Sequence, residues 1–372
     1  MQFRMLFLLL FLSLVFSADA FSQDKNPPKD ETDEILKIDT QLVDVPVVVT
    51  DKNGTPLLNL KKSNFTVFED GVKQELSDFA ATNAPFEVAL LLDTSGSTRS
   101  DLSLIQRSAE NFIASLRKGD KVSVVSFESG TRNGKKIALS RVLTKLTDDR
   151  VKLKNALGEV KLSNGTPYYD GLFDVVEKVF SEPAKDEFRG RRALVALTDG
   201  VDSTSVTDFA EVRERFEQAG IISYFIQVDT REFFEENLLG DCEVAMRFSA
   251  AQIKRYYRTF YPKSKIEKVS NFCGLGDFER LDISRRLYEL ADSEMQRLAK
   301  TSGGKVFPVA DLSEARSAFS KVAEEIGKKY SLGYYSSNEK RDGSARKIKV
   351  VLKGVPTGAQ IRAREGYTAP IN

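Results

Sequence analysis

The chain has 372 residues, a formal net charge of +1 and no histidine. This near-neutral balance gives no overall positive field that would favour nucleic acid or an anionic membrane. The absence of histidine excludes Ser-His-Asp and Cys-His nucleophile pairs, imidazole acid–base catalysis and the common His-bearing zinc sites. With 41% hydrophobic residues, a chain of this length is expected to be globular and to form about two domains.

The first twenty residues have the pattern of a signal peptide. Arg4 precedes an apolar stretch over residues 5–16, and Ala18-Asp19-Ala20 supplies the small residues of a cleavage site. No later segment has the roughly 20 apolar residues that a membrane-spanning helix needs. We therefore expect residues 1–20 to be removed and the protein to be exported, either periplasmic or secreted, with no transmembrane segment. Residues 21–36 are polar and predict a flexible leader.

Short strand-like runs at both ends of the chain predict a small β-sandwich over residues 37–84 and 329–372. Neither end has enough strands for a stable sheet of its own, so we expect the two ends to combine around an inserted domain. Lys52-Asn53-Gly54 is a hairpin turn signal between the first two strands. The predicted strands are Val43–Thr50, Leu57–Leu60, Phe65–Glu69, Tyr330–Tyr335, Arg346–Leu352 and Ala359–Arg364.

Residues 85–328 alternate between apolar runs and amphipathic segments. The runs Val122–Phe127, Ala193–Leu197 and Ile221–Val228 are almost continuously apolar, as expected for parallel strands covered on both faces. Apolar residues at helical spacing lie between them. The pattern predicts an α/β fold, a doubly wound and mostly parallel sheet with helices on both faces. In such folds the loops at the carboxyl ends of the strands bind ligands.

Residues 230–290 interrupt this alternation as an insertion on the predicted ligand face. They contain both cysteines of the chain, Cys242 and Cys273. An even cysteine count in an exported protein favours a disulfide, and two free buried thiols are the alternative. The basic and aromatic run Lys254–Tyr261 is open to two interpretations, a partner-binding surface or a solvated lid.

Five oxygen-bearing side chains predict a metal site at the ends of buried strands. Asp93, Ser95 and Ser97 directly follow the apolar run ending at Leu92, and Thr166 and Asp199 occupy two later loops of the same kind. Carboxylates and hydroxyls are ligands for a hard divalent cation, with Mg²⁺ first and Mn²⁺ or Ca²⁺ as alternatives. Taken singly, these residues are also explained as helix caps and an ordinary turn.

The same residues closely resemble those of the von Willebrand factor type A (VWFA) domain. The resemblance covers about residues 85–328, and the metal-ion-dependent adhesion site (MIDAS) of that family uses D-x-S-x-S, a loop threonine and a loop aspartate. The matching positions are Asp93, Ser95, Ser97, Thr166 and Asp199. The resemblance implies that the hydroxyls are direct or switchable ligands and that the aspartates act directly or through water. The flanking segments resemble exported bacterial "VWFA-related" proteins described from Acidobacteria.

The expected function is binding rather than catalysis. The resemblance implies a protein partner whose Asp or Glu completes the coordination of the cation, as in adhesion or complex assembly. One alternative is a structural or interaction protein that binds its partner without metal. A weaker alternative is a Mg²⁺-dependent hydrolase with Asp93 as its nucleophile. That chemistry needs a second acidic residue two positions later, where this chain has Ser95.

Overall fold

The computed structural model describes residues 42–82, 84–96, 102–132, 135–263 and 272–371. The strands are β1 (Leu42–Thr50), β2 (Phe65–Glu69), β3 (Val72–Gln74), β4 (Leu76–Ala80), β5 (Glu87–Leu92), β6 (Lys121–Arg132), β7 (Lys135–Thr147), β8 (Arg192–Thr198), β9 (Ile222–Val228), β10 (Lys305–Val309), β11 (Tyr330–Tyr335), β12 (Ala345–Leu352), β13 (Gln360–Ala363) and β14 (Gly366–Thr368). The α-helices are α1 (Leu102–Ser115), α2 (Arg150–Gly158), α3 (Tyr168–Asp174), α4 (Phe209–Ala219), α5 (Arg231–Glu236), α6 (Ala250–Phe260), α7 (Asp277–Ser302) and α8 (Ala315–Ile326).

The central sheet has six strands in the order β10-β9-β8-β5-β6-β7. All neighbouring pairs are parallel except β6 and β7, which form an antiparallel hairpin at one edge. The alternation of β5 sends Val88, Leu90 and Leu92 into one hydrophobic core and Ala89 and Leu91 into the other. A strand buried on both faces explains the continuous apolar run. The predicted mostly parallel α/β sheet is confirmed.

Helices cover both faces of this sheet. The first core is completed by α1, α2 and α8. The second core is completed by α3, α4 and α7, and a π-helical turn, Val175–Val179, extends α3. This doubly wound arrangement brings the carboxyl ends of the parallel strands to one edge, which we call the carboxyl edge, and their amino ends to the opposite edge, the amino edge.

The two ends of the chain form two antiparallel four-stranded sheets, in the orders β13-β1-β11-β4 and β14-β12-β2-β3. Each sheet therefore combines strands from both ends, and buried side chains of both sheets share one core. The predicted sandwich is confirmed. The predicted strand Leu57–Leu60 is wrong, because the phenol of Tyr330 accepts from the amide of Leu60 at 3.0 Å and donates to the carbonyl of Leu57 at 2.7 Å. A side chain thus supplies the hydrogen bonds that a neighbouring strand would make.

The sandwich joins the amino edge through buried basic side chains. The guanidinium of Arg191 donates to the carbonyls of Ala84, Pro85 and Lys329 at 2.6, 3.0 and 3.1 Å. The ammonium of Lys329 donates to the carbonyl of Gly303, which follows the last turn of α7. Carbonyls at a helix end are without intrahelical donors and carry partial negative charge, so they are suitable partners for these cations.

The insertion has a hydrophobic core of its own between α5, α6 and α7. A disulfide joins Cys242 to Cys273, as the even cysteine count predicts. The run Lys254–Tyr261 is not a solvated lid, because Tyr256 and Tyr257 are buried against α7. Its exposed basic residues Lys254 and Arg258 lie on one face of α6, and a partner-binding role for this run stays a prediction. No helix of the described residues is long and apolar enough to cross a membrane.

Candidate metal centre

Asp93 lies where β5 leaves the sheet, and its carboxylate is completely buried. Its amide donates to the carbonyl of Leu197 at 2.9 Å, which extends the pairing with β8 by one residue. One carboxylate oxygen accepts from the amide of Ser95 at 3.0 Å, and the other accepts from the hydroxyl of Thr198 at 2.7 Å. These bonds fix the carboxylate at the carboxyl edge and turn the chain sharply after the strand.

Ser95 is also buried, on a loop that is anchored on two sides. The hydroxyl of Thr94 donates to the carbonyl of Phe127 at 3.0 Å, and the carbonyl of Thr94 accepts from the amide of Ser163 at 2.9 Å. The loop after β5 is therefore held against the loop that carries Thr166. Ser97, the last residue of the D-x-S-x-S sequence, lies outside the described residues, so its place at the site stays a prediction.

Thr166 is buried directly before α3. Its amide donates to the hydroxyl of Ser203 at 2.7 Å, and its carbonyl accepts from the amide of Ser203 at 2.9 Å. This reciprocal pair ties the Thr166 loop to the loop after β8. Gly165 packs closely there, because a Cβ at this position would lie 3.0 Å from the methyl group of Thr204 and 3.2 Å from Ala138, so these neighbours would have to shift slightly.

Asp199 follows β8 and is buried beside the strand end that carries Asp93. One of its carboxylate oxygens accepts from the amide of Val201 at 2.9 Å, and the other accepts from the hydroxyl of Thr230 at 2.7 Å. The next residue, Gly200, has a φ of +74° and lies so close to Met295 that a Cβ would be 2.7 Å from its methyl carbon. The turn therefore needs glycine both for its backbone conformation and for its packing on α7.

The electrostatics of this edge are those of carboxylates buried near one another. Burial and, after it, the negative charge of Asp199 raise the pKa of Asp93 to about 7, against hydrogen bonds from Ser95 and Thr198 that lower it. Burial also raises the pKa of Asp202 to about 7, opposed by hydrogen bonds from Ser205. A divalent cation would reverse this unfavourable charge density, since an opposite charge stabilises the ionised form.

The donor atoms of the site suit a hard cation. Asp93 and Asp199 provide carboxylate oxygens, and Ser95 and Thr166 provide hydroxyls on adjoining loops, a set appropriate for Mg²⁺, Mn²⁺ or Ca²⁺. Within the described part of the chain, no three His, Cys, Asp or Glu side chains gather into a metal-binding group. A cation at this edge would therefore depend on hydroxyl ligands in addition to the two carboxylates. The residues fit such a group, and the assignment of each as a ligand stays a prediction.

Four further residues support the site and were missed by the sequence reasoning. Thr198 and Thr230 donate to the two carboxylates, Ser203 holds the Thr166 loop, and the carboxylate of Asp202 accepts from the amide of Tyr169 at 3.3 Å. Asp202 and Ser203 were within reach of the sequence, because they follow Asp199 in the same loop. Thr230 was harder to predict from the sequence, since only the strand order places it beside Asp199.

The insertion contacts these loops from the side. The hydroxyl of Ser249, at the start of α6, donates to the carbonyl of Ser203 at 2.6 Å. Arg255 donates to both carboxylate oxygens of Glu294 at 2.8 Å and lies 4.5 Å over the ring of Tyr169, whose phenol donates to Glu294 at 2.6 Å. The insertion therefore contacts the residues that support the candidate metal site.

Solved structures with a similar chain path have low sequence identity. BatB from Bacteroides thetaiotaomicron is 17% identical with a TM-score of 0.39, covering 65% of this chain and 99% of that chain. A von Willebrand factor type A protein from Catenulispora acidiphila is 12% identical with a TM-score of 0.42, covering 89% and 74%. Proximal thread matrix protein 1 of the mussel byssus, in a structure with a zinc-occupied MIDAS motif, is 14% identical with a TM-score of 0.41, covering 69% and 49%.

Sequence comparison with curated proteins gives no match. A match to a family model covers the part of the chain that contains β5, β6, β7 and β8. Residues 88–201 fit the model of the von Willebrand factor type A domain, and this segment includes Asp93, Ser95, Thr166 and Asp199. Together with the mostly parallel sheet and its helices, the match shows that this protein contains a von Willebrand factor type A domain.

Proposed function

We propose that the protein is an exported, non-enzymatic module that binds a partner protein through a divalent cation. In this proposal the cation is held by Asp93, Ser95, Ser97, Thr166 and Asp199. The expected cation is Mg²⁺, with Mn²⁺ or Ca²⁺ as alternatives. An Asp or Glu of the partner completes the coordination. Adhesion or assembly of a complex is the expected use.

One observation carries this proposal. Two buried carboxylates, Asp93 and Asp199, end neighbouring parallel strands, and the loops that bear Ser95 and Thr166 adjoin them through direct hydrogen bonds. Ionised carboxylates in such surroundings need a compensating positive charge. A bound cation supplies that charge and offers a Lewis-acidic position to an external carboxylate.

The surrounding residues would hold the site ready for this ligand. Thr198 and Thr230 orient the carboxylates of Asp93 and Asp199 from behind, each through one hydroxyl. Ser203 fixes the Thr166 loop through its hydroxyl and its amide. A site whose ligands are already positioned loses less conformational freedom on binding, which favours affinity.

Titration calorimetry of Mg²⁺ and Mn²⁺ into the purified protein tests the cation site. We expect one bound ion per chain, and we expect Asp93→Ala to abolish binding and Ser95→Ala to weaken it. Asp292→Ala, which removes an exposed carboxylate on α7, is the control and should bind like the unmodified protein. An absence of heat with folded protein, or unchanged binding by the Asp93 variant, would refute the proposal.

The role of the cation in partner binding needs a second measurement. Pull-down from the native cell envelope, with and without EDTA, should recover a partner only when the cation is present. A complex that persists under chelation favours the alternative, an interaction protein that binds without metal. That alternative has one specific observation in its favour, the apolar side chain of Phe278 in the first turn of α7, which is 92% exposed.

A further inference from the structure

An open groove of about 800 Å³ runs between α5 and the first turns of α7. Five acidic and two basic side chains line it, an excess of three negative charges, and Leu239, Phe278 and Leu281 provide apolar surface. A space of this size accommodates several side chains of a ligand. The groove thus combines negative charge with an apolar contact area.

The walls of the groove are fixed by buried contacts. The guanidinium of Arg280, buried on α7, donates to the carbonyls of Leu238 and Gly240 at 3.4 and 2.9 Å and lies 4.4 Å from the ring centre of Phe272. These bonds attach the loop carrying Leu239 to α7. Binding in the groove would therefore require little rearrangement of its walls.

The apolar part of the groove is exposed to an unusual degree. Phe278 is 92% exposed and Leu239 is 40% exposed, although both lie on segments that are packed against the insertion core. An aromatic side chain held on a rigid element is the kind of group that contributes most to a protein interface when it becomes covered. These two residues are the expected apolar contacts of a ligand.

The acidic part of the groove has charges that are not paired internally. Within the described residues no ion pair involves Glu232, Glu235 or Glu236, which lie at helical spacing on one face of α5, whereas Asp282 across the groove pairs with Arg285 at 2.5 Å. Carboxylates of this kind attract cationic side chains, and their attraction falls with rising salt. They favour a basic ligand over a neutral or acidic one.

The lining of the groove is adjacent in sequence to a residue that supports the candidate metal site. Asp229 lines the groove, and the next residue, Thr230, donates to the carboxylate of Asp199 at 2.7 Å. Consecutive residues of one segment thus line the groove and support the candidate metal site.

We propose that this groove docks a basic segment of the partner protein, with an apolar side chain against Phe278 and Leu239 and with Lys or Arg beside Glu232, Glu235 and Glu236. The inference rests on the proposed function only in assigning the groove and the cation to the same partner. Docking in the groove itself needs no cation.

Fluorescence anisotropy with short labelled peptides in EDTA tests the groove independently of the metal. A peptide of alternating Lys and Leu should bind, a Lys and Ser peptide should bind about tenfold more weakly, and a Glu and Leu peptide should not bind. Because chelator is present throughout, a failure of the metal proposal leaves this result unaffected. No binding of the Lys and Leu peptide, or equal binding of the Lys and Ser peptide, would overturn the inference.

Matched variants locate the binding. Glu232→Lys combined with Glu235→Lys should weaken the Lys and Leu peptide about tenfold, and Phe278→Ser should weaken it to a similar degree. The control is Glu211→Lys combined with Glu214→Lys on α4, which reverses two exposed carboxylates at the same spacing and, like Glu232, includes one in the first helical turn. Equal losses in both double variants would show general charge attraction and would contradict a specific groove.

Discussion

The two edges of the central sheet both bury ionisable side chains, but the hydrogen-bond partners of these side chains differ. At the amino edge, the basic side chains of Arg191 and Lys329 donate to backbone carbonyls of the same chain. At the carboxyl edge, the carboxylates of Asp93 and Asp199 accept from the hydroxyls of Thr198 and Thr230. Carbonyls at helix ends carry partial negative charge that stabilises a positive charge, whereas hydroxyls orient a carboxylate and leave its net charge in place.

This difference accounts for the separate roles of the edges. The amino edge is a closed joint, in which Arg362 and Arg364 also donate to carbonyls at the ends of α7 and α4, those of Gly303 and Glu217. The hydrogen-bond acceptors of its basic side chains are already within the fold. The carboxyl edge still needs positive charge, and on our proposal a cation supplies it. The comparison predicts that variants at the amino edge change folding stability, while variants at the carboxyl edge change binding.

Replacing Arg191 by methionine should cause the largest effect. Arg191 is fully buried and stacks 4.1 Å over the ring of Phe86, and its loss leaves several buried carbonyls without donors. Each unsatisfied group costs about 1–3 kcal/mol, partly offset because a buried charge is also removed. We expect the free energy of unfolding to fall by about 3 kcal/mol or more, measured by denaturant titration.

Arg189→Met is the matched control for this experiment. Arg189 lies two residues away and pairs with the exposed Asp186 at 2.7 Å, so its removal should cost less than about 0.5 kcal/mol. Similar stabilities for the two variants would show that the amino edge is not fastened by Arg191. The proposed distinction between a structural amino edge and a ligand-binding carboxyl edge would then lose its main evidence.

A smaller effect is expected from the dependence of stability on pH. Burial and, after it, the nearby charge of Arg191 lower the pKa of Lys329 to about 7. The unfolded chain therefore binds more protons than the folded protein from about pH 7 up to the ordinary lysine pKa, and stability rises with pH in that window. Between pH 7 and pH 8 the gain is about 1 kcal/mol, and Lys329→Met should remove it.

Denaturant titrations at several pH values measure this slope. Lys321→Met, which removes an exposed lysine on α8, should retain the slope of the unmodified protein. The carbonyl of Gly303 keeps a donor in the Lys329 variant, because Arg362 donates to it at 3.0 Å. An unchanged slope in that variant would mean that Lys329 stays charged in the folded protein at neutral pH.

The carboxyl edge could be predicted from the sequence because its signal is local. Asp93 and Asp199 each end an apolar run, and parallel strands bring such ends together whatever the details of the fold. The disulfide could also be predicted, from the even cysteine count. The sandwich could be predicted because neither end of the chain has enough strands for a sheet of its own. Ser97 follows the same pattern, but its place lies outside the described residues.

The amino edge could not be predicted, because its partners come from distant segments. Arg191 lies in a run of charged residues that has the composition of a solvated loop, yet its acceptors belong to the segments around Ala84 and Lys329. The hairpin strand β7 was missed for a related reason, since it carries polar residues and pairs only with β6. The contact of Ser249 with Ser203 likewise depends on how the insertion folds back.

That contact provides the smallest and most specific test of the carboxyl edge. The hydroxyl of Ser249 accepts from the amide of Gln252 at 3.0 Å as a helix cap and donates to the carbonyl of Ser203 at 2.6 Å. Glycine is almost as good a cap as serine, so Ser249→Gly removes the donor with little loss of helix stability. We expect the cation affinity, measured by calorimetry, to fall about threefold through loosening of the Thr166 loop.

Two further variants separate support of the metal site from stability of α6. Ser249→Thr keeps both the cap and the donor and should bind the cation like the unmodified protein. Gln252→Ala removes the reciprocal cap, in which the side chain of Gln252 accepts from the amide of Ser249 at 2.9 Å, without removing the donor to Ser203. If the affinity falls in the Gln252 variant as well, α6 acts through its general stability. If it falls in neither the Ser249→Gly nor the Gln252→Ala variant, the insertion does not support the site, and the carboxyl edge is built from the loops of the central sheet alone.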